Sequence, residues 1–547
     1  MTLARPTLRV EWLVAMIALY AVAFGNGPWW KAVSLGRNAA DPAAWLFVAA
    51  CALALIALHF VIFLLLSTRW TVKPLLTAVV IATAAVVYYM RTYSVLLDPT
   101  MLRHLVRTDT REASELITGS LVWNIVAWSL VPVASIWWVR ISRRPLLRAA
   151  GFRLAAIGVA LLVAVASILL ISRDLTSLLR NQRELRYLIT PGNFIVSLLR
   201  NAVTDVQTAK VLKQIVGVDA RLKPQAVAHP RPMVFVFMLG ETARAANFSL
   251  LGYSRPTNPE LAQLDIVAFS DVTACGTSTE VSLPCMFSPY GRADYDEQKI
   301  RRSQDVLDVL RRAGYAVKWI DNQSGCKHAC DGDGIEYRKL DAKFAPDLCD
   351  GEDCHDEILV RALRQQLAGI TQNTVIVMHM LGNHGPAYYK RYPPAFRRFT
   401  PDCPTAELRN CSRDQIVNAF DNVILYTDHV LAETIRTLEA QSPRLDTAML
   451  YVSDHGESLG ESDLYLHGLP YAIAPRLQLH VPMISWMSAS FATAAGIDAA
   501  CLKGRAAETL SHDNLFHSLL GVLDVQTSAY RPERDLYAPC RKAPATQ

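Results

Sequence analysis

Glu241 follows the apolar run Met233–Leu239 in VFVFMLGETAR, His384 follows Thr374–Met380 in HMLGNHGPAY, and Asp454 with His455 follow Ala448–Val452 in MLYVSDHGESLGE. His467 lies a little further on, in DLYLHG. Two carboxylates and a histidine suit a zinc ion, which in catalytic sites keeps one position open for a reacting oxygen. Thr279, in CGTSTEVSLPC, is the candidate for that position. A threonine hydroxyl is a poor nucleophile while protonated, and zinc supplies the pKa depression it needs. Cys275 and Cys285 flank the loop, and a bond between them limits the motion of the nucleophile. Taken singly, an acid after a strand is often a helix cap and a loop threonine is usually solvated. The set together points to metal-assisted chemistry.

Such a set works only if its segments converge. Met233–Leu239, Ala316–Ile320, Thr374–Met380 and Ala448–Val452 read as buried parallel strands, alternating with helices such as Gln304–Ala313 and Gln415–Glu439. The alternation predicts an α/β sandwich with helices on both faces of the sheet. Active sites of such sheets collect at the carboxyl ends of the strands.

The chain is long enough for two parts of different character. Apolar residues make up 52% of its 547 residues, and the excess sits at the start. Up to Gly217 there are 22 Lys and Arg against 9 Asp and Glu, so the overall charge of +6 divides into +13 there and −7 in the remainder. This is not the pattern of a nucleic-acid binder, and no basic stripe is interleaved with aromatics. Five stretches approach the roughly 20 residues needed to cross a bilayer: Trp12–Gly27, Trp45–Leu66, Leu75–Met90, Leu121–Val139 and Leu154–Ile171. Positive charge gathers before the first span (Arg5, Arg9), between the second and third (Arg69, Lys73) and between the fourth and fifth (Arg140 to Arg153). Those segments are expected on the cytoplasmic side, which places everything after Ile171 in the periplasm of a bacterium with two membranes. From Leu175 to Val216, Leu178, Leu179, Leu185, Tyr187 and Leu188 predict one face of interfacial helices. The expected organisation is therefore 1–174 as a five-helix transmembrane domain, 175–229 as interfacial helices and linker, and 230–547 as the periplasmic catalytic domain.

Of the 11 cysteines only Cys51 is in a span; the other ten follow residue 270. Close pairs are Cys275 with Cys285, Cys326 with Cys330, Cys349 with Cys354, and Cys403 with Cys411, leaving Cys501 to Cys540 by elimination. An even set confined to the outer part is what disulfides in an oxidising compartment require.

At these residues the sequence resembles the lipid A phosphoethanolamine transferases, the family that includes the colistin-resistance enzymes and resembles alkaline phosphatases and sulfatases in its catalytic fold. The resemblance is carried by GETAR (Gly240 to Arg244), CGTST with VSLPCMFS (Cys275 to Ser288), GNHGPAY (Gly382 to Tyr388), and SDHGESLGE followed by YLHG (Ser453 to Gly468). It implies one tight zinc held by Glu241, Thr279, Asp454 and His455, with Thr279 accepting phosphoethanolamine covalently. His384 and His467 are implied to bind phosphate, protonate a leaving group or hold a second zinc. Lys327, in SGCKHAC, matches a family lysine near the substrate phosphate. The outer loop LLDPTMLRHLVRTDTREA resembles the donor-binding segment, with His104, Thr108 and Glu112 where the family has Asn, Thr and Glu. Glu280 stands where a small or neutral residue is expected.

The resemblance thus implies a monomeric inner-membrane enzyme that moves phosphoethanolamine from phosphatidylethanolamine to a lipid A phosphate, conferring resistance to polymyxin. The alternatives are transfer to a lipopolysaccharide core sugar, or phosphoglycerol transfer on the same fold. A sulfatase needs a Cys or Ser in a Cys/Ser-x-Pro-x-Arg context, which TSTEV does not offer. A non-enzymatic membrane receptor is the reading from a different class.

Overall fold

A computed structural model describes residues 5–542 apart from 36, 39, 108–113, 209–212, 225–229 and 352. Packing divides the chain into two units: Met1–Val106 with Ile117–Thr204, and Arg107–Leu116 with Asp205–Gln547.

The first unit is helical: α1 (Val10–Phe24), α2 (Gly27–Ser34), α3 (Pro42–Leu66), α4 (Val72–Thr92), α5 (Pro99–Arg107), α6 (Gly119–Trp138), α7 (Leu146–Leu170), α8 (Ser172–Asn181) and α9 (Gly192–Thr208). Four of these, α3, α4, α6 and α7, are long and apolar enough to cross a membrane, and α1 with α2 makes a fifth crossing if the bent pair is one span. Leu147, Leu162 and Leu169 on α7 and Trp123 on α6 are each more than 60% exposed, as side chains that meet lipid should be.

The first span departs from expectation. Its 15-residue helix is too short for a hydrocarbon core about 30 Å thick, and the chain turns by 56° into α2. The turn is pinned by Asn26, fully buried, whose side-chain amide donates to the carbonyls of Ala21 (2.8 Å) and Thr190 (2.6 Å) while its oxygen accepts from the Thr190 N–H (2.8 Å). The leucines at 178, 179, 185 and 188 pack with Trp29, Phe47 and Leu55. Tyr187 is not among them; its ring lies under the Arg186 guanidinium.

The second unit is built on a seven-stranded sheet: β1 (Met233–Gly240), β2 (Val267–Phe269), β3 (Ala316–Asp321), β4 (Glu336–Lys339), β5 (Thr374–His379), β6 (Asp446–Ser453) and β7 (Met483–Met487). Their spatial order is β2-β7-β6-β1-β5-β3-β4. The four strands predicted from apolar runs form its parallel centre, and β7 is antiparallel to both of its neighbours. Successive side chains of a strand face opposite ways, so β1 feeds two cores. Phe235, Phe237 and Leu239 pack with Phe287 and Trp319 and with the helices α11 (Val306–Arg312) and α14 (Leu515–Val522). Val234, Val236 and Met238 pack on the other face with α12 (Glu357–Ala368) and α13 (Arg413–Glu439). This is the expected sandwich, and all five expected disulfides are present, with Cys51 buried and free.

Candidate active site

β1 and β6 run in parallel with Gly240 opposite Ser453, so the residues after them, Glu241 and Asp454, emerge side by side at the carboxyl edge. The Asp454 N–H donates to the Gly240 carbonyl at 3.0 Å and locks that register. Glu241 itself sits beneath Gly382, in the loop after β5. Gly382 has φ +51°, and a Cβ there would lie 2.7 Å from the Glu241 carbonyl oxygen. Only glycine lets the two loops close on each other.

Thr279 is the first residue of helix α10 (Thr279–Met286), reached from an extended Ser278. Its hydroxyl is 2% exposed as a residue and donates to Glu241, with Oγ1 3.1 Å from Oε1 and 3.0 Å from Oε2; His455 Nε2 is 3.5 Å away. His455 Nε2 also lies 3.4 Å from both Glu241 Oε1 and Asp454 Oδ2. The ring's other nitrogen, Nδ1, is 2.9 Å from the Gly456 carbonyl. A carbonyl can only accept, so Nδ1 carries the hydrogen and Nε2 is left as the ligand atom.

Electrostatics favour a cation here. Burial opposes ionisation of Glu241, but the imidazoles of His379 and His455 outweigh it and hold its carboxyl well below the usual range. Burial, then the Glu241 charge, push Asp454 upward, while the two carboxylates raise His455 to about 9 against its own burial. The three ligand atoms of Glu241, Asp454 and His455 lie within 4.8 Å of one another and could hold a metal ion. Asp454 Oδ2 is fully buried and makes no hydrogen bond among the described residues. A hard or borderline divalent cation satisfies that oxygen and neutralises the paired acids, so these residues fit one.

The other expected residues divide. His467 stacks beside His455 with ring centroids 4.2 Å apart, His384 follows at 6.4 Å from His467, and His467 Nδ1 is 3.5 Å from Glu457 Oε1. Lys327 Nζ donates to the Ser324 hydroxyl (2.9 Å) and carbonyl (3.1 Å) and lines an open cavity of about 490 Å³ together with Glu280, the residue beside the nucleophile. His104 lies on α5 in the first unit, and Thr108 and Glu112 lie outside the described residues. Glu115, from the same outer loop and packed with the second unit, pairs with Arg391, whose Nε donates to the His384 carbonyl at 2.9 Å.

Several residues escape the sequence reading. Gln323 Nε2 donates to Glu241 Oε2 at 3.2 Å. Behind Glu241, His379 Nε2 is 3.9 Å from Oε2, and its Nδ1 is 2.9 Å from Asp321 on the paired strand, so a carboxylate, imidazole, carboxylate series backs the cluster. Asp321 and His379 each end a buried strand, which is the same signal that marked Glu241. Glu280 is explained by Arg301, which donates to its carboxylate at 2.7 Å and to its backbone carbonyl at 3.3 Å.

A buried hydroxyl held by acids at a sheet's carboxyl edge, in a chain that also carries bilayer-length helices, defines a membrane-bound enzyme with a sulfatase-type catalytic domain. The Sulfatase family model matches residues 234–525, and the model described as phosphoethanolamine transferase EptA/EptB matches residues 55–206. The chain is 37% identical over 480 residues to phosphoethanolamine transferase EptA of Salmonella typhimurium, covering 87% of each, and 34% identical to phosphatidylethanolamine transferase Mcr-1 of Escherichia coli, covering 94% of each. It superposes on the structure of the integral membrane lipooligosaccharide phosphoethanolamine transferase A from Neisseria meningitidis with a TM-score of 0.91, at 35% identity, over 98% of this chain and all of that one. The chain belongs to the phosphoethanolamine transferase family.

Proposed function

We propose that this protein transfers phosphoethanolamine from phosphatidylethanolamine to a phosphate of lipid A through a phosphothreonine at Thr279. The observation that carries the reading is the Thr279 hydroxyl, buried and hydrogen-bonded to both oxygens of Glu241 within a group able to hold a metal. Glu241, Asp454, His455 and Thr279 would hold zinc, which when bound supplies the positive charge that lowers the hydroxyl pKa and offsets negative charge on phosphoryl oxygens. The Thr279 hydroxyl gives its proton to Glu241, its hydrogen-bond acceptor, as its oxygen bonds to phosphorus and the bond to the diacylglycerol oxygen breaks, and His467 or His384 protonates that leaving oxygen. A lipid A phosphate oxygen then attacks the phosphothreonine and returns the threonine hydroxyl. Lys327 and the loop of His104, Thr108 and Glu112 orient the donor.

Support comes from the names of the relatives, one of which is a lipooligosaccharide phosphoethanolamine transferase, and from helices long and apolar enough to cross a membrane, where confinement would raise the effective concentration of two lipid substrates. In this reading residues 1–174 cross the inner membrane, 175–229 lie at its surface and 230–547 act in the periplasm as a monomer, with raised polymyxin resistance as the consequence. Mass spectrometry of lipid A from cells expressing the wild type should show added phosphoethanolamine, and Thr279→Ala should abolish it. Modified lipid A at wild-type level in the variant refutes the assignment, and a modified core sugar with unmodified lipid A moves the acceptor.

A further inference from the structure

At one end of the helical unit, three separate segments enclose a cavity of about 270 Å³. Arg9 precedes α1, Arg69 lies between α3 and α4, Arg144 lies between α6 and α7, and Arg153 is on α7; all four line the cavity, against a single acid, Glu11. Among the described residues none of the four arginines forms an ion pair. The guanidinium carbons of Arg9 and Arg144 each lie 5.1 Å from the centroid of one ring, that of Phe152, and Arg69 stacks 4.0 Å over Trp70. Two cations gathered on one aromatic ring repel each other, and contact with the ring offsets only part of that cost.

The gathering is built into the backbone. Thr7–Leu8 pairs in parallel with Arg140–Ile141, with the Arg140 N–H donating to the Pro6 carbonyl and the Ser142 N–H to the Leu8 carbonyl, both at 2.9 Å. Lys73 Nζ adds a bond of 2.6 Å to the Val139 carbonyl. The segment before α1, the segment after α6 and the start of α4 are thereby fixed to one another, and the arginines converge as a consequence.

We propose that this cavity binds the phosphate of an anionic phospholipid. A planar guanidinium donates two parallel hydrogen bonds to phosphate, which suits arginine over a solvated lysine. The lining set is formally +3, so a zwitterionic headgroup leaves it uncompensated and an anionic one does not. Beside the hydroxyl-bearing Thr68 and Ser142, the wall has apolar parts from Val10, Leu146 and Ala149, and Leu146 and its neighbour Leu147 are 80% and 89% exposed, which offers acyl chains a surface that free phosphate does not use. Basic pockets between membrane helices bind lipid headgroups on the same physical grounds. The site is independent of Thr279 and of the transfer reaction.

The test uses the full-length protein in neutral detergent and native mass spectrometry with phosphatidylglycerol, phosphatidylethanolamine or inorganic phosphate. Phosphatidylglycerol should bind wild type more tightly than phosphatidylethanolamine, and Arg144→Gln with Arg153→Gln should weaken it roughly tenfold or more. In parallel, photoactivatable phosphatidylglycerol should crosslink wild-type peptides spanning residues 142–153, and unlabelled phosphatidylglycerol should suppress the crosslink where inorganic phosphate does not. Equal affinity of wild type and the double variant, equal binding of the zwitterionic lipid, displacement by inorganic phosphate, or no crosslink to those peptides would each overturn the proposal.

Discussion

Glu280 sits beside the nucleophile as a buried acid whose charge is cancelled by Arg301, the two side chains being 2% and 9% exposed. Removing one partner of a buried pair costs about 3–5 kcal/mol where the other charge is left stranded; Arg301 keeps Glu297, 3.0 Å from its Nε, so the loss here falls below that range. Glu280→Ala should therefore lower the thermal unfolding temperature clearly, and Glu280→Gln, which still accepts from Arg301, should lower it less; equal melting of all three proteins contradicts the role. Gly382→Ala carries a different penalty, since the new Cβ meets the backbone of Glu241. Zinc content measured by elemental analysis should fall in that variant, whereas Gly252→Ala, which has a positive φ but no atom within 4 Å, should keep its metal. The ligand group and the nucleophile were readable from the chain because each stands directly behind an apolar run or between two cysteines. His379 and Asp321 carried a related signal at the ends of their strands, but His379 falls inside the run Thr374–Met380 and reads as a core position, and Asp321 has no motif around it to single it out.

Helix α13 carries a pH-dependent contact that illustrates what periodicity conveys and what it omits. Its extent was predicted almost to the residue from apolar spacing, and Ser412 with Gln415 forms a capping box at its start. Spacing says nothing about partners on other elements. His429 on this helix lies 2.8 Å from Glu260 and 3.6 Å from Glu357 at the start of α12. The neighbouring Glu357 carboxylate, against the opposing effect of burial and with the hydrogen-bonded Glu260 adding to it, raises His429 to about 9. A histidine raised in the folded state contributes stability that is complete below its unfolded value of about 6.5 and disappears as pH rises through the folded value. The melting-temperature gap between wild type and His429→Gln should thus be largest near pH 6 and shrink toward pH 9 and above. A gap that grows with pH contradicts the assignment. The 56° turn between α1 and α2 falls at Gly25, Asn26, Gly27 and Pro28, at the end of the stretch Trp12–Gly27 that hydropathy reads as one span.

At the scale of the whole molecule, the two proposed sites rest on different chemistry: a metal-capable acid cluster in the sandwich and, among the helices, an arginine cluster with no ion pair among the described residues. If zinc belongs to the first, chelation should abolish transfer and lower the unfolding temperature of the full-length protein, and added zinc should restore both, because a ligand bound only by the native state stabilises it by mass action. Activity that survives complete metal removal contradicts the zinc reading. The central claim is that Thr279 carries the phosphoethanolamine. Its most direct test is peptide mass spectrometry of the full-length enzyme incubated with phosphatidylethanolamine and no acceptor. The peptide from Cys275 to Cys285 should gain one phosphoethanolamine on Thr279, and the adduct should disappear when lipid A is added. An active enzyme that never carries the adduct on Thr279, or a Thr279→Ala variant that carries it elsewhere and remains active, contradicts the account.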